Sequence, residues 1–271
     1  MKSLKIFCLS LNNEDYEKII SLGYTPVGVG NQDFDTKWLR DNTGENISEK
    51  NNFYGEYSFH YWLWNNKFKE IKDNTWVGFC AYRRFWQQEN VNYFLKKKND
   101  FLSTVPNSWE HYDVILGQDI HMDGWTPMKI FKHGLKSYIL NPKFFLKKNR
   151  NIKLHFDSFH GYGNLDKAIN LLDESEKEDF RKFTRGQNFY NRGNMFICRS
   201  KKIMNSYYNS LFPWLERCEK IFGLNKTNYG NTRIYAFLGE RYLSYWFNKY
   251  AKVLKWPIVF FNLNKERIED I

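Results

Sequence analysis

The stretch LKIFCLSLNNEDYEKIISLGYTPVGVG, residues 4–30, decides the fold. LKIFCLSL (4–11) is an apolar run of strand length, NEDYEKIISLG (13–23) is helical in pattern and stopped by Gly23, and TPVGVG (25–30) reads as a second short strand ending in glycines. Strand, helix, strand in that order opens a βαβ nucleotide-binding half.

Working outward, residues 41–52, DNTGENISEKNN, are polar turn formers and predict a surface loop, and FYGEYSFHYWLWNNKF (53–68) predicts an aromatic helix. WVGFCAY (76–82) and YDVILG (112–117) read as buried strands, the second running into QDIHMDGW. Residues 126–185 are helical in pattern, with GNLDKAINLLDESEKEDFRKF (163–183) the clearest amphipathic helix. GNMFICRS (193–200) predicts a strand, KKIMNSYYNSLFPWLERCEKIFG and RIYAFLGERYLSYWFNKYA two helices, and the tail KWPIVFFNL (255–263) one more strand. The expectation is a single α/β domain over 1–271, with a mostly parallel central sheet flanked by helices, a helical insertion in the middle and a helical C-terminal part. In such sheets ligands sit beyond the carboxyl ends of the strands. There the arginines of YRR, the carboxylates of QDIHMD and the glycines of VGVG should emerge.

Composition narrows the partner. The chain has 271 residues, a formal charge of +11 and 19% aromatic residues in a polar background, which points to an anionic ligand and a cleft lined with rings. The lysines are spread along the chain, and no run reads as a nucleic-acid arm. Cys8, Cys80, Cys198 and Cys218 are far apart, with no zinc-ligand spacing, so neither a metal site nor a disulfide framework is indicated. No run approaches the 18 or so apolar residues that span a bilayer. The expected place is the cytoplasm, with the positive charge able to hold the protein at the inner face of the inner membrane.

Tyr82, Arg83 and Arg84 follow a strand directly, and a guanidinium presents a planar fork of donors suited to phosphate oxygens. The competing structural role is a buried ion pair with Glu56 or Glu240. Asp119 and Asp123 in GQDIHMDG offer a base, a turn cap or a weak site for a divalent cation, Mn or Mg, since their spacing is not a compact acidic pair. Glu240 and Arg241 sit inside an apolar aromatic helix, where a carboxylate is costly unless paired or functional. The ATP-loop, dinucleotide, hydrolase-elbow and zincin fingerprints are absent.

Taken together, DNTGENISEKNNFYGEYSFHYWLWNN, WVGFCAYRRFW, GNMFICRSKKI and RIYAFLGERYLSYWF resemble a bacterial family encoded in capsule and O-antigen gene clusters and long catalogued as a domain of unknown function. Its pattern is D-N-T-G-D-N-I-S, then E-L-T-x-x-Y-W-x-W-K-N, H-Y-R-R-Y-F, N-M-F-I-M and S-E-R-L-L. The resemblance implies a GT-A-like glycosyltransferase of cell-envelope polysaccharide synthesis, galactofuranosyltransferase-like, taking a UDP-sugar donor. The acceptor it implies is a capsular or lipopolysaccharide glycan, lipid-linked at the membrane. It implies a nucleotide-sugar-binding half at 1–125 and an acceptor-side half at 126–271.

Carried over position by position, the motif falls on Asp41, Asn42, Asn46, Glu56, Trp62, Tyr82, Arg83, Arg84, Asn194, Glu240 and Arg241. On this reading Tyr82, Arg83, Arg84, Asp41, Asn42 and Asn46 bind the donor, and Glu56, Trp62, Asn194 and Arg241 serve the acceptor or support the site. Glu240 is the expected base, with Asp119 as runner-up. Ala81 stands where the family has His, and Gly55 and Ser58 depart from its E-L-T segment. The alternative is a non-catalytic basic module for an anionic glycan or nucleic acid.

Overall fold

The computed structural model describes residues 3–89, 100–122, 128, 132, 135–225, 228–265 and 267–268. The βαβ opening forms as the pattern dictates: β1 (Ser3–Ser10), α1 (Tyr16–Ser21) and β2 (Thr25–Gly28). β1 pairs in parallel with β2 and with β4 (Thr75–Ala81), and β2 continues to the short β3 (Leu39–Arg40). β6 (Val114–Gly117) pairs in parallel with β10 (Val253–Trp256). Between β4 and β6 lies β9 (Phe196–Cys198), antiparallel to both. The path is therefore β10-β6-β9-β4-β1-β2-β3. Along this path one antiparallel strand interrupts an otherwise parallel order.

After β3 the chain returns across β1 to β4, so the strand order reverses between β1 and β4. Their carboxyl ends diverge there and leave the crevice in which doubly wound sheets bind ligands. Arg84 opens β5 (Arg84–Trp86), which turns back antiparallel against β11 (Ile258–Asn262). Pro257 separates β10 from β11, because it has no N–H to continue the ladder. The expected single tail strand is thus two, in different pairings, and β11 closes with β12 (Arg267–Ile268).

The helical expectations are partly redrawn. The aromatic helix at 53–68 is broken into α2 (Asn51–Tyr54) and α3 (Tyr57–Trp62), continuing as a wide π turn over Leu63–Lys67. The break is Gly55, at φ +58° and ψ −136°, a backbone state that glycine adopts readily and L side chains avoid. Helices α4 (Leu135–Leu140) and α5 (Ile152–His160) come from the middle segment. The amphipathic stretch 163–183 forms two helices, α6 (Asn164–Ile169) and α7 (Glu174–Gly186), because Asp173 adopts extended geometry between them. QDIHMD does not simply end a strand. Asp119–His121 is β7, paired antiparallel with β8 (Phe189–Asn191) in a separate two-stranded ribbon.

Helices α8 (Lys201–Phe222), α9 (Tyr229–Thr232) and α10 (Ile234–Tyr250) match the expected C-terminal helical part. Helices α8 and α10 bury an aromatic core against one sheet face, including Tyr57, Phe59, Trp62, Phe196, Tyr207, Tyr208 and Phe247. The aromatic stripe of α3 is therefore core and not a stacking platform. A second core, with Trp76, Trp86 and Trp109, fills the other face. Among the described residues no helix is long and apolar enough to cross a membrane.

Candidate functional site

Two cavities open at the carboxyl end of the sheet, and they share Arg84 and Tyr229. The first, about 270 Å³, lies at the reversal between β1 and β4 and is lined by Ser10, Asn51, Glu56, Tyr82, Arg83, Arg84 and Arg233, among others. The second, about 810 Å³, lies beyond β5 and α10 and is walled by Tyr190, Phe237 and Phe260 with Arg192, Glu240 and Arg241. Its ring-rich wall is the aromatic cleft that the composition called for.

The YRR sequence reaches the first cavity because β4 ends in it. Tyr82 N–H still donates to Leu9 O at 2.9 Å, extending the β1–β4 ladder by one residue before the chain turns. Arg83 is exposed, with its guanidinium 5.1 Å from the Tyr82 ring centre. Arg84 is half-buried, 5.4 Å from the Phe260 ring centre, and no protein acceptor among the described residues takes a hydrogen bond from it. Its donors face the place where the two cavities meet.

Glu56 supplies the carboxylate of the crevice. Its Oε2 lies 3.5 Å from Arg233 Nη2 and accepts from Asn194 Nδ2 at 3.3 Å. Burial works to raise its pKa, but the Arg233 and Arg84 guanidiniums outweigh that and hold it below the usual range. The break at Gly55 makes the pairing possible, since a Cβ there would stand 2.5 Å from Arg233 Nη2. Three guanidiniums against one carboxylate give the crevice a net positive character suited to a diphosphate.

Glu240 projects from α10 into the second cavity, its side chain 12% exposed. Oε1 accepts from the Gly193 N–H at 2.8 Å and Oε2 from Arg241 Nη1 at 2.6 Å. A carboxylate has about four lone-pair sites, so these two bonds orient it without exhausting it. Gly193, at φ +74°, sits against Arg84: a Cβ there would come within 3.4 Å of Arg84 Nη1. Glu240, Gly193 and Arg84 thus form one continuous floor.

Arg241 turns the other way, into the protein. Its side chain is 1% exposed, 4.4 Å from the Tyr190 ring centre, and its Nη2 donates to His155 Nδ1 at 3.1 Å. His155 must therefore be neutral, and burial followed by the Arg241 charge pushes its pKa well down. His160 is held down by the same two causes, and its Nδ1–H donates to Gly230 O at 3.0 Å.

Other motif residues are engaged elsewhere. Asp41 is fully buried and accepts from Ser58 Oγ at 2.6 Å, and Ser58 in turn accepts from Asn51 Nδ2 at 2.8 Å. Asn46 Oδ1 accepts from the Ser48 N–H at 3.2 Å, shaping its own loop. Trp62, buried, donates from Nε1 to Thr43 Oγ1 at 3.1 Å. Asn66 clamps Glu45 through both its amide groups, at 3.1 and 2.7 Å. DNTGENIS and the α3 segment are therefore two halves of one latch, and Asn42 stands exposed at its edge. None of Asp41, Asn42, Asn46 and Trp62 lines either cavity.

Asp119 does not enter the cleft either. It pairs with Lys255 at 2.6 Å on the β7–β8 ribbon. Asp123 lies outside the described residues. Among the described residues no three His, Cys, Asp or Glu side chains gather as a metal site. The sequence reasoning did not single out Arg233 or Arg192. Arg192 follows β8 as the YRR arginines follow β4, so an arginine directly after a strand was the signal to look for.

The architecture is a mixed α/β GT-A-like fold, and it matches a solved structure described as the WbbM bifunctional glycosyltransferase in its apo form. The TM-score is 0.65 at 20% identity, covering 95% of this chain and 45% of that one, so the chain spans less than half that protein's length. No curated protein matches the chain. The model of a family described as a domain of unknown function, DUF4422, matches residues 11–252, and the chain belongs to that family.

Proposed function

We propose that the protein is a glycosyltransferase that takes a nucleotide-diphosphate sugar in the β1/β4 crevice and passes the sugar to an acceptor held in the ring-walled cavity. The observation that carries this reading is Arg84: a guanidinium without a protein hydrogen-bond acceptor among the described residues, at the junction of a basic crevice and an aromatic cleft. A diphosphate bound there puts the departing charge on Arg83, Arg84 and Arg233. The anomeric carbon then points toward Glu240, which is positioned to take the proton of the acceptor hydroxyl. The glycosyltransferase with the shared fold supports the reaction class. The motif resemblance supports a UDP-sugar as donor, with galactofuranose or an N-acetylated relative as the sugar, and a capsular or lipopolysaccharide glycan as acceptor. With guanidiniums supplying countercharge, a divalent cation is not required by the crevice residues themselves.

Glu240 is also the countercharge of the buried Arg241, so Glu240→Gln conflates chemistry with stability. Glu240→Asp keeps the charge and withdraws the carboxylate by one methylene. The expected outcome is a folded protein that binds donor as wild type does and releases nucleoside diphosphate at least about a hundredfold more slowly. Near-wild-type turnover in Glu240→Asp would reassign Glu240 to supporting Arg241. Polyanion binding with no response to any nucleotide sugar would favour the basic binding module.

A further inference from the structure

Between Asp123 and Asp157 the sequence contains no acidic residue and eight lysines and arginines. The described part of this segment forms α4, then two 3-10 turns at Pro142–Phe145 and Lys147–Asn149. Tyr138, Leu154 and Phe144 pack into a small cluster of their own that seats it on the protein. Ser137 and Tyr138 face inward, and the other side chains of the helix face out. Leu135, Ile139, Leu140, Phe145 and Leu146 are 41 to 63% exposed. Scattered apolar residues on a surface are ordinary, but five large ones along one short segment mark a contact surface.

The charges around them specify the partner. Lys136, Lys143, Lys147 and Lys148 are exposed within the same run, and none pairs with a carboxylate among the described residues. The nearby acids are already engaged, Asp157 and Asp166 with Lys153, and Asp166 also with Arg185. Lys143, Lys148 and Arg150 also line a polar cavity of about 760 Å³. A second copy of the chain would bring like charges together on this face. We propose that the face carrying Leu135–Lys148 docks onto an anionic phospholipid bilayer, with the apolar side chains entering the headgroup boundary and the lysines pairing with lipid phosphates.

The position gives the docking a use. Lys132, just upstream, lines the cavity that holds Glu240, and α5, which follows the segment, forms part of that cavity's wall. Docking would therefore present the acceptor cavity to the membrane surface, where a lipid-linked glycan resides; this use, unlike the docking, rests on the transferase reading.

The test is co-sedimentation of the full chain with vesicles of phosphatidylcholine, with and without phosphatidylglycerol. Wild type is expected to bind only the phosphatidylglycerol vesicles. Lys143→Gln/Lys147→Gln/Lys148→Gln should weaken that binding roughly a hundredfold and flatten its salt dependence, at about fivefold per lysine. Ile139→Ser/Phe145→Ser/Leu146→Ser should weaken it at every salt concentration. Both variants are expected to keep wild-type melting and wild-type transfer to a water-soluble acceptor. Undiminished vesicle binding by both variants would overturn the proposal. So would a wild type that ignores vesicles and loses self-association on the serine substitutions. Vesicle binding is read without turnover, so an inactive protein that still docks through this face would sink the transferase and leave the docking standing.

Discussion

The latch around DNTGENIS and the crevice around YRR are both rich in polar residues, and both carry the family pattern. They differ in what their polar groups do. In the latch Asp41 and the Trp62 indole are spent on the Ser58 and Thr43 hydroxyls, and Asn46 and Asn66 on the backbone of Ser48 and Glu45. At the crevice the Arg83 and Arg84 guanidiniums lie beside rings and donate no hydrogen bond to a protein acceptor among the described residues, and Glu56 is held ionised by the charges of Arg233 and Arg84. A shared motif therefore marks two kinds of necessity. One holds loop 41–48 against α3, and with it Asn51 and Gly55, which line the crevice. The other leaves guanidinium donors turned toward the crevice.

The largest effect that should separate the two regions is Trp62→Ala. Removing a buried indole that packs on Phe59 and pins Thr43 should cost about 3–5 kcal/mol of stability, read as a large fall in the denaturant midpoint. A loss of donor affinity without a loss of stability would place Trp62 at the ligand instead.

Acid should act on the scaffold and the acceptor wall before the crevice. His60, buried against Phe79 and bonded to Tyr208, has its pKa pushed down to about 3 by burial, and His155 and His160 are also held low. Their folded pKa values lie below the unfolded one, so the unfolded chain binds the extra protons. The stability they contribute is fully present above about pH 6.5. It falls by about 1.4 kcal/mol per pH unit for each histidine as pH drops toward the folded values. Urea midpoints at descending pH should show that slope, and His60→Gln should reduce it by about a third. A flat profile between pH 6.5 and 5 would contradict the burial of these rings.

The smallest effect sharpens the comparison most cheaply. Asn46→Ala should cost about 1 kcal/mol by freeing the Ser48 N–H, and Asn42→Ala, at an exposed position, less than about 0.5 kcal/mol. Neither should change donor affinity. Weaker donor binding with unchanged melting would return these amides to the donor site.

The sheet was legible in the sequence because its strands are apolar runs bounded by turns, and the βαβ opening has one natural reading. The two-stranded ribbon of β7 and β8 was not, since DIH and FYN are only three residues each, and their pairing depends on residues some seventy positions apart. The α2–α3 break was marked by Gly55, yet its purpose, admitting Arg233 to Glu56, is a contact between distant elements. Among the candidate site residues, the placement of Arg83 and Arg84 at the crevice was readable from their position after a strand. The latch residues looked the same in sequence as binding residues, because an amide that holds a loop and one that holds a sugar are the same group. Only their partners distinguish them.

On the proposed function, Arg84 faces a diphosphate at the reversal of the sheet. Calorimetric titration of UDP and UDP-sugars into wild type and Arg84→Ala, with melting curves of both, tests it directly. The expected result is binding to wild type and a loss of about 2–3 kcal/mol, close to a hundredfold, in Arg84→Ala, with the melting temperature unchanged. Equal affinity in the two proteins, or a collapse of stability in Arg84→Ala, would contradict it.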